Sequence, residues 1–254
     1  MGAADGGWEG IGERPLLILV GVTGVGKTTT VRAMEAAGLS FTLLPNRRAL
    51  TDELIIGEMQ AAAGEPIEPV TDRVKRFAYT AQYREKYAGG MAQALSQLVV
   101  HREKVPTERL VFDGVRGVNE VEAAAELLPR AYFLVLEAPL RVRVKRLLGR
   151  GDEFDRVSGI EKRGGNNLAS MMPEAAGLFM AAEETELMNL VADGVISAAD
   201  LQTKLKIVLT ERENYDPDGA REALLNIAPE RVILGDTVRF SPAEIATLVR
   251  QQWE

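Results

Sequence analysis

The segment from Gly21 to Thr28 combines residue types and spacing suited to binding a polyphosphate. Its sequence, Gly-Val-Thr-Gly-Val-Gly-Lys-Thr, matches the P-loop pattern GxxxxGK[ST]. Glycines let the backbone wrap around phosphate with N–H groups pointing inward, and a following helix N-terminus adds positive potential. We expect Lys27 to reach the β- and γ-phosphates of ATP and Thr28 to ligate Mg²⁺. The predicted nucleotide-binding residues are Gly21, Thr23, Gly24, Val25, Gly26, Lys27, Thr28 and Thr29.

A carboxylate follows another apolar run of the sequence. Leu110 to Phe112 predicts a buried strand, and Asp113 and Gly114 come directly after it. A strand-end aspartate beside a P-loop either holds the Mg²⁺ shell or accepts a proton from an acceptor hydroxyl. Asp113 is therefore predicted to be catalytic and, with Thr28, to bind the metal.

The residue after Asp113 separates classes of P-loop protein. Motor-type ATPases usually place a catalytic glutamate there, whereas this chain has Gly114. GTPases carry an Asn/Thr-Lys-x-Asp motif that reads the base, and the sequence contains none. The remaining class is kinase-like, in which arginines gather the phosphates of donor and acceptor.

Arginines follow the apolar run from Ala131 to Leu136. Arg143, Arg146 and Arg150 are spaced by three and four residues, so they share one face of a helix. A cationic face that begins at the carboxyl end of a strand lies where ligands bind in open α/β sheets, although such charges also occur on solvated faces. The predicted catalytic residues are Lys27, Asp113, Arg116, Arg146 and Arg150.

The run from Asp113 to Arg116, Asp-Gly-Val-Arg, resembles the Asp-Gly-aromatic-Pro-Arg signature of adenylate kinases, shortened by one residue. It resembles more closely the archaeal dephospho-CoA-kinase-like P-loop proteins, in which Asp-Gly-Ile-Arg-Ser precedes a Glu-Val-Glu helix; here Glu-Val-Glu begins at Glu120. Ala138 and Pro139 also lead into an arginine-bearing helix, as in that group, and the segment from Tyr83 to Ala92 resembles its Arg-Glu-x-x-Gly segment. The resemblance covers about residues 15–160 and implies ATP-dependent phosphoryl transfer.

Other charged groups have two interpretations each. Arg47 with Arg48, and Arg73 with Arg76, lie where nucleoside monophosphate kinases bind the acceptor, or they face solvent. The polar segment from Glu211 to Pro217 is either a helix end and turn or a segment that closes over the site.

Five apolar runs separated by helical sequence predict the strands that position these residues. The predicted fold is a P-loop α/β/α sandwich of the nucleoside monophosphate kinase type, with a five-stranded parallel sheet. The first helix should run from Lys27 to Gly38, and the last should follow the capping box at Ser241. The predicted strands are Leu16 to Val20, Phe41 to Leu44, Leu110 to Phe112, Ala131 to Leu136 and Val232 to Leu234.

The domain prediction is a flexible tail over residues 1–14 and one kinase-like domain over 15–254. Mostly helical insertions are expected at about 47–109, with main segments at 70–87 and 90–102, and at 151–231, opening with a glycine- and asparagine-rich loop at 164–167. His101, the single histidine, is expected at a solvated helix end rather than in a metal site.

Composition excludes several classes of function. A net charge of −7 disfavours a nucleic-acid partner, and the absence of cysteine excludes disulfides and thiolate chemistry. No apolar run is long enough to span a membrane, and the N-terminal sequence lacks the order of a signal peptide, so a cytoplasmic location is expected.

The predicted function is phosphoryl transfer, dependent on ATP and Mg²⁺, to a small-molecule and nucleotide-like acceptor. The alternative is a non-catalytic or slowly hydrolysing ATP-binding regulator whose 151–231 insertion contacts a protein partner.

Overall fold

The computed structural model of this protein describes residues 7–105, 107–149 and 167–253. The chain forms two compact units. The first comprises Met1–Gly21, Lys27–Leu136 and Asp216–Glu254, and the second comprises Val22–Gly26 and Glu137–Tyr215.

The first unit contains the predicted five-stranded parallel sheet, which confirms the α/β fold class. The strand order is β3-β5-β2-β6-β7, so the strand that leads into the P-loop is central. The strands are β2 (Leu16–Val20), β3 (Thr42–Leu43), β5 (Leu110–Val115), β6 (Ala131–Glu137) and β7 (Val232–Asp236).

Helices surround this sheet because its strands are apolar on both faces. Ile18 and its alternate neighbours belong to a core shared with the helices α5, α6 and α11. Leu17 and Leu19 point to the other face and are also fully buried. The helices of this unit are α1 (Lys27–Ala36), α2 (Arg47–Leu50), a π-helical turn (Thr51–Ile56), α3 (Gly57–Ala62), α4 (Arg73–Lys86), α5 (Gly90–Ser96), α6 (Val118–Leu127), α11 (Pro217–Ile227) and α12 (Pro242–Trp253).

A two-stranded antiparallel sheet corrects two predictions. Trp8–Gly10 forms β1 and pairs with β4, Val99–His101. Residues 8–14 are therefore not a flexible tail: Ile11 in the following 3₁₀ turn is fully buried, and its N–H donates to the carbonyl oxygen of Leu98. Nor does a helix continue to residue 102. β-branched Val99 and Val100 favour a strand, and His101 lies on it with its ring edge against Trp8.

The second unit is helical and has its own core. Apolar side chains on α7 and α10, such as Val144 and Leu205, are fully buried there. Its helices are α7 (Leu140–Leu148), α8 (Leu168–Met171), α9 (Ala181–Ala192) and α10 (Ala198–Asn214). The unit thus ends at Tyr215, before the end predicted for the second insertion at residue 231. Arg150 and residues 164–166 of the predicted loop lie outside the described residues.

No helix within the described residues is long and apolar enough to cross a membrane.

Candidate functional site

The P-loop lies between β2 and α1, as predicted. Gly24 and Gly26 have φ values of +85° and +105°, a region that side chains with a Cβ rarely adopt. The N–H of Gly21 donates to the carbonyl oxygen of Val115 on β5 at 3.2 Å. The sequence pattern therefore has a conformational reason: glycine is required where the chain turns.

Lys27, the first residue of α1, lies beside Asp113 in the first unit. Its Nζ donates to the carbonyl oxygen of Gly21 at 2.8 Å and lies 3.6 Å from Asp113 Oδ1. Asp113 Oδ1 is buried and has no hydrogen-bond partner among the described residues. Asp113 Oδ1 is thus paired with Lys27 through charge, without a hydrogen bond among the described residues.

The sequence predicts that Asp113 lies at the end of its strand, but in the structure the strand continues beyond it. β5 continues to Val115, and the pairing with β2 changes register between Leu19, which faces Asp113, and Val20, which faces Val115. The extra residue, Gly114, bulges; a Cβ there would lie 2.5 Å from the Phe112 ring. Glycine at this position therefore allows Asp113 to stay in register with the central strand.

Asp113 offers a carboxylate of the type that binds Mg²⁺ in proteins. Groups of three or more His, Asp or Glu side chains that could hold a metal are absent from the described residues. Mg²⁺ is commonly held by one or two protein ligands, with substrate phosphates and waters completing its shell. The Asp113 carboxylate, whose Oδ1 accepts no hydrogen bond among the described residues, fits that arrangement as one such ligand. Thr28, exposed on the first turn of α1, remains the predicted second ligand.

Glu120 fixes the segment that carries Arg116. Both terminal nitrogens of the Arg47 guanidinium donate to the Glu120 carboxylate, at 2.7 and 2.6 Å, and the N–H of Arg116 donates to it at 3.1 Å. Arg47 also donates to the carbonyl oxygen of Gly114. Glu120 is only 7% exposed, so this is an interior network.

The arginines of the first insertion have structural partners. Arg47 is bound by Glu120, and Arg76 is bound by Asp52 and by the carbonyl oxygen of Val70. Arg48 is exposed, and the side chain of Arg73 lies outside the described residues. The Arg47 ion pair differs from both interpretations made from sequence, because this guanidinium organises the β5–α6 connection.

In the second unit, arginines of α7 contact the middle of the P-loop. The Arg143 Nε donates to the carbonyl oxygen of Thr23 at 2.9 Å, and Arg146 Nη1 donates to that of Gly24 at 3.1 Å. Arg143 also pairs with Glu211 at 2.9 Å. Arg143 is 5% exposed and so is not part of a solvated helix face.

Sequence reasoning missed the roles of Glu120 and Glu211. Glu120 is the third residue after the N-cap Gly117 of α6, a position from which a glutamate side chain can reach back to backbone N–H groups, and that position is its signal. Glu211 belongs to the polar segment that was interpreted as a helix end or as a closing segment. It is near the end of α10, and its carboxylate accepts hydrogen bonds from the P-loop residue Thr23.

Comparison with known proteins finds relatives in sequence. No protein-family model matches the chain. A UPF0200 protein of Pyrobaculum aerophilum is 28% identical over 144 residues, which are 56% of this chain and 70% of that protein. A UPF0200 protein of Methanosarcina acetivorans is 33% identical over 89 residues, 34% of this chain and 48% of that protein.

Solved structures that resemble the chain include two kinases. A shikimate kinase from Acinetobacter baumannii in complex with shikimate has a TM-score of 0.37 and 16% identity, covering 94% of this chain and 92% of its own. A gluconokinase from Sinorhizobium meliloti has a TM-score of 0.32 and 17% identity, covering 94% of both chains. The chain is thus similar to UPF0200 proteins in sequence, and the assignment of its site rests on its own residues.

Proposed function

We propose that this protein transfers a phosphoryl group from ATP, with Mg²⁺, to a small-molecule acceptor. The observation that carries the proposal is the ion pair between Lys27, the first residue of α1, and Asp113 on β5, whose Oδ1 has no hydrogen-bond partner among the described residues. In this proposal the P-loop binds the nucleotide, and the Asp113 carboxylate serves as a metal ligand or as a base.

Each residue has a role that its chemistry supports. N–H groups of the P-loop and Lys27 would hold the β- and γ-phosphates, because amides and an ammonium group bind anions strongly. Asp113 and Thr28 would hold Mg²⁺, which supplies neutralisation of the charge that develops on the phosphates. Asp113 retains its alternative role, in which it accepts the proton of the acceptor hydroxyl.

Arginines supply the remaining positive charge in this proposal. Arg116 follows Asp113 on a segment whose backbone Glu120 fixes. Arg146 and Arg150 are proposed to contact the transferred group, since guanidinium groups bind phosphate oxygens through two donors. In-line phosphoryl transfer needs positioning and charge neutralisation more than covalent chemistry. The proposed residues provide these two types of interaction.

The nature of the acceptor is the finer part of the proposal. The resemblance of the run from Asp113 to Arg116 to adenylate kinases and archaeal dephospho-CoA-kinase-like proteins does not identify the acceptor, so the proposal of a nucleotide-like acceptor is tested with a panel of compounds. The cytoplasmic location expected from the sequence remains part of the proposal.

Two measurements on the parent protein test the proposal. Calorimetry should show ATP binding that Mg²⁺ strengthens, and ADP release should depend on one member of a panel of nucleotides, CoA precursors and small hydroxylated metabolites. ATP binding with no acceptor-dependent turnover across the panel would favour the regulator instead. Failure to bind ATP would contradict both.

A further inference from the structure

Thr23, the third residue of the P-loop, binds a carboxylate on α10. The N–H of Thr23 donates to Glu211 Oε2 at 2.9 Å, and its hydroxyl donates to Glu211 Oε1 at 2.5 Å. Both oxygens of one carboxylate thus bind one residue of the loop. Glu211 is 7% exposed, so these bonds form in an environment that strengthens them.

Arg143 completes the set of bonds around Thr23. Its Nη2 donates to Glu211 at 2.9 Å, and its Nε donates to the carbonyl oxygen of Thr23 at 2.9 Å. The N–H, the hydroxyl and the carbonyl group of Thr23 are therefore all bonded to side chains of the helical unit. Next along the chain, Gly24 packs so closely on α7 that a Cβ would lie 3.0 Å from the Arg143 carbonyl oxygen.

The charge of the pair suits a loop that binds anions. A lone carboxylate beside a triphosphate would repel it, whereas the Arg143 guanidinium balances the charge of Glu211 within hydrogen-bonding distance. Glu211 can therefore act as a strong acceptor for Thr23 without making the loop negative. A pair needed only for packing two helices would not require both carboxylate oxygens to bind the loop.

We propose that Glu211 is a positioning residue for the phosphate-binding loop, an inference that rests on the proposed function. By fixing the peptide at Thr23, it holds the loop in its binding conformation before the nucleotide arrives, which lowers the entropy lost on binding. In this arrangement the N–H of Thr23 binds Glu211, and the N–H groups from Gly24 to Thr28 bind the phosphates. The helical unit thereby positions the loop segment Val22–Gly26, which belongs to it.

The first test uses Thr23, because its substitution leaves the Glu211–Arg143 ion pair intact and should not impair folding. Thr23→Val removes the hydroxyl and keeps the side-chain shape. It should weaken binding of ATP with Mg²⁺ by up to about tenfold, because one hydrogen bond no longer favours the binding conformation of the loop over its other conformations. Thr23→Ser, which keeps the hydroxyl, should recover most of that loss.

The second test uses Glu211→Gln, with Glu186→Gln as the matched control in the same unit. Glu186 binds Arg141 and Lys145 on α7, away from Thr23. Both substitutions should lower thermal stability, but only Glu211→Gln should weaken ATP binding and speed amide hydrogen exchange at Thr23 measured by NMR.

Three outcomes would overturn the proposal. Parental ATP affinity in both Thr23→Val and Glu211→Gln would leave Glu211 with only a structural role. Tighter ATP binding in Glu211→Gln would mean that the carboxylate competes with phosphate. Unchanged exchange at Thr23 in that variant would show that Glu211 does not hold the loop. The exchange measurement needs no nucleotide, so it stays decisive if the parent fails to bind ATP and the proposed function is wrong.

Discussion

Lys27 Nζ lies 3.6 Å from Asp113 Oδ1, and both side chains are largely buried in the first unit. The lysine opens the helix after the central strand, and the aspartate lies on the neighbouring strand, opposite Leu19. In the proposed function, Lys27 is the cation that binds the phosphates and Asp113 is the anion that binds the metal. Each residue of the pair can be substituted alone, so the two roles can be tested separately.

Lys27→Ala should weaken ATP binding by roughly 1.5 to 3 kcal/mol, since it removes a charge-assisted contact with a polyphosphate. Calorimetry with ATP and Mg²⁺ measures the loss. Lys206→Ala removes a lysine that is exposed on α10 and serves as the control for net charge. Equal affinities in Lys27→Ala and the parent would contradict the assignment of the phosphate site.

Asp113→Asn should spare ATP binding without metal and reduce the gain in affinity that Mg²⁺ gives, because the amide keeps the size but loses the charge that attracts the ion. Calorimetry over a range of Mg²⁺ concentrations measures this gain. Asp236→Asn, at the end of β7 in the same sheet, is the matched control; its carboxylate caps the N–H groups of Val238 and Arg239. Unaltered Mg²⁺ dependence and unaltered turnover in Asp113→Asn would reduce Asp113 to a structural residue.

The strands and the P-loop could be predicted from sequence because their signals are local. A short apolar run followed by GxxxxGK[ST] determines both the strand and the turn, and all five predicted strands are present. The N-terminal sheet was not predicted, because Trp8–Gly10 forms a strand by pairing with residues 89 to 93 positions further along the chain, and its own sequence is only three residues long.

The partners of the arginines could not be predicted, because they depend on long-range contacts. Spacing alone placed Arg143 and Arg146 on one helix face. Nothing local indicates that Glu211, 68 residues further on, lies against Arg143. Likewise, Arg47 meets Glu120 across 73 residues. Sequence periodicity indicates which face of a helix a residue occupies. It does not indicate which distant residue lies against that face, so these ion pairs could not be predicted.

Gly24→Ala should destabilise the protein more than Gly38→Ala, although both glycines have a similar positive φ, +85° and +79°. At Gly38, after α1, an added Cβ meets only the end of the Arg250 side chain at 4.0 Å, so the cost is the backbone penalty of about 1 to 2 kcal/mol. At Gly24 the added Cβ also lies 3.0 to 3.1 Å from the backbone of Arg143, which cannot move without α7. Urea unfolding measures both costs. Equal losses would show that α7 adapts readily.

Arg146→Lys should lower turnover while changing ATP affinity little, if this guanidinium contacts the phosphoryl group during transfer. Lysine keeps the charge but loses the planar pair of donors, and an interaction that is stronger in the transition state lowers kcat and kcat/KM together. Arg141→Lys on the same helix, where Arg141 binds Glu183 and Glu186, is the control. The same substitution at Arg150 should behave like Arg146→Lys. Loss of ATP affinity without any acceptor-dependent turnover would indicate the regulator. If the substitution has no effect on either quantity, Arg146 has only a structural role through its hydrogen bond to Gly24.

Tyr83→Phe should make the protein more resistant to alkali. Tyr83 is 1% exposed, and its hydroxyl has no hydrogen-bond partner among the described residues. Burial, assisted by the nearby carboxylate of Glu58, raises the pKa of Tyr83 from 10.0 to about 12. Between these two values the unfolded chain releases the phenolic proton while the folded chain retains it. The free energy of unfolding of the parent therefore falls as the pH rises, by up to about 1.4 kcal/mol per pH unit from this group.

The phenylalanine variant lacks this proton and should lose less stability over the same range. At pH 7 it should be as stable as the parent or more stable by up to about 1 kcal/mol, because it removes a buried hydroxyl that has no partner among the described residues. Urea unfolding of both proteins from pH 7 to 11 measures the difference, in which the contributions of the other tyrosines cancel. Parallel stability curves above pH 10 would mean that the Tyr83 hydroxyl ionises as readily in the folded chain as in the unfolded one, and that its surroundings do not resist the charge.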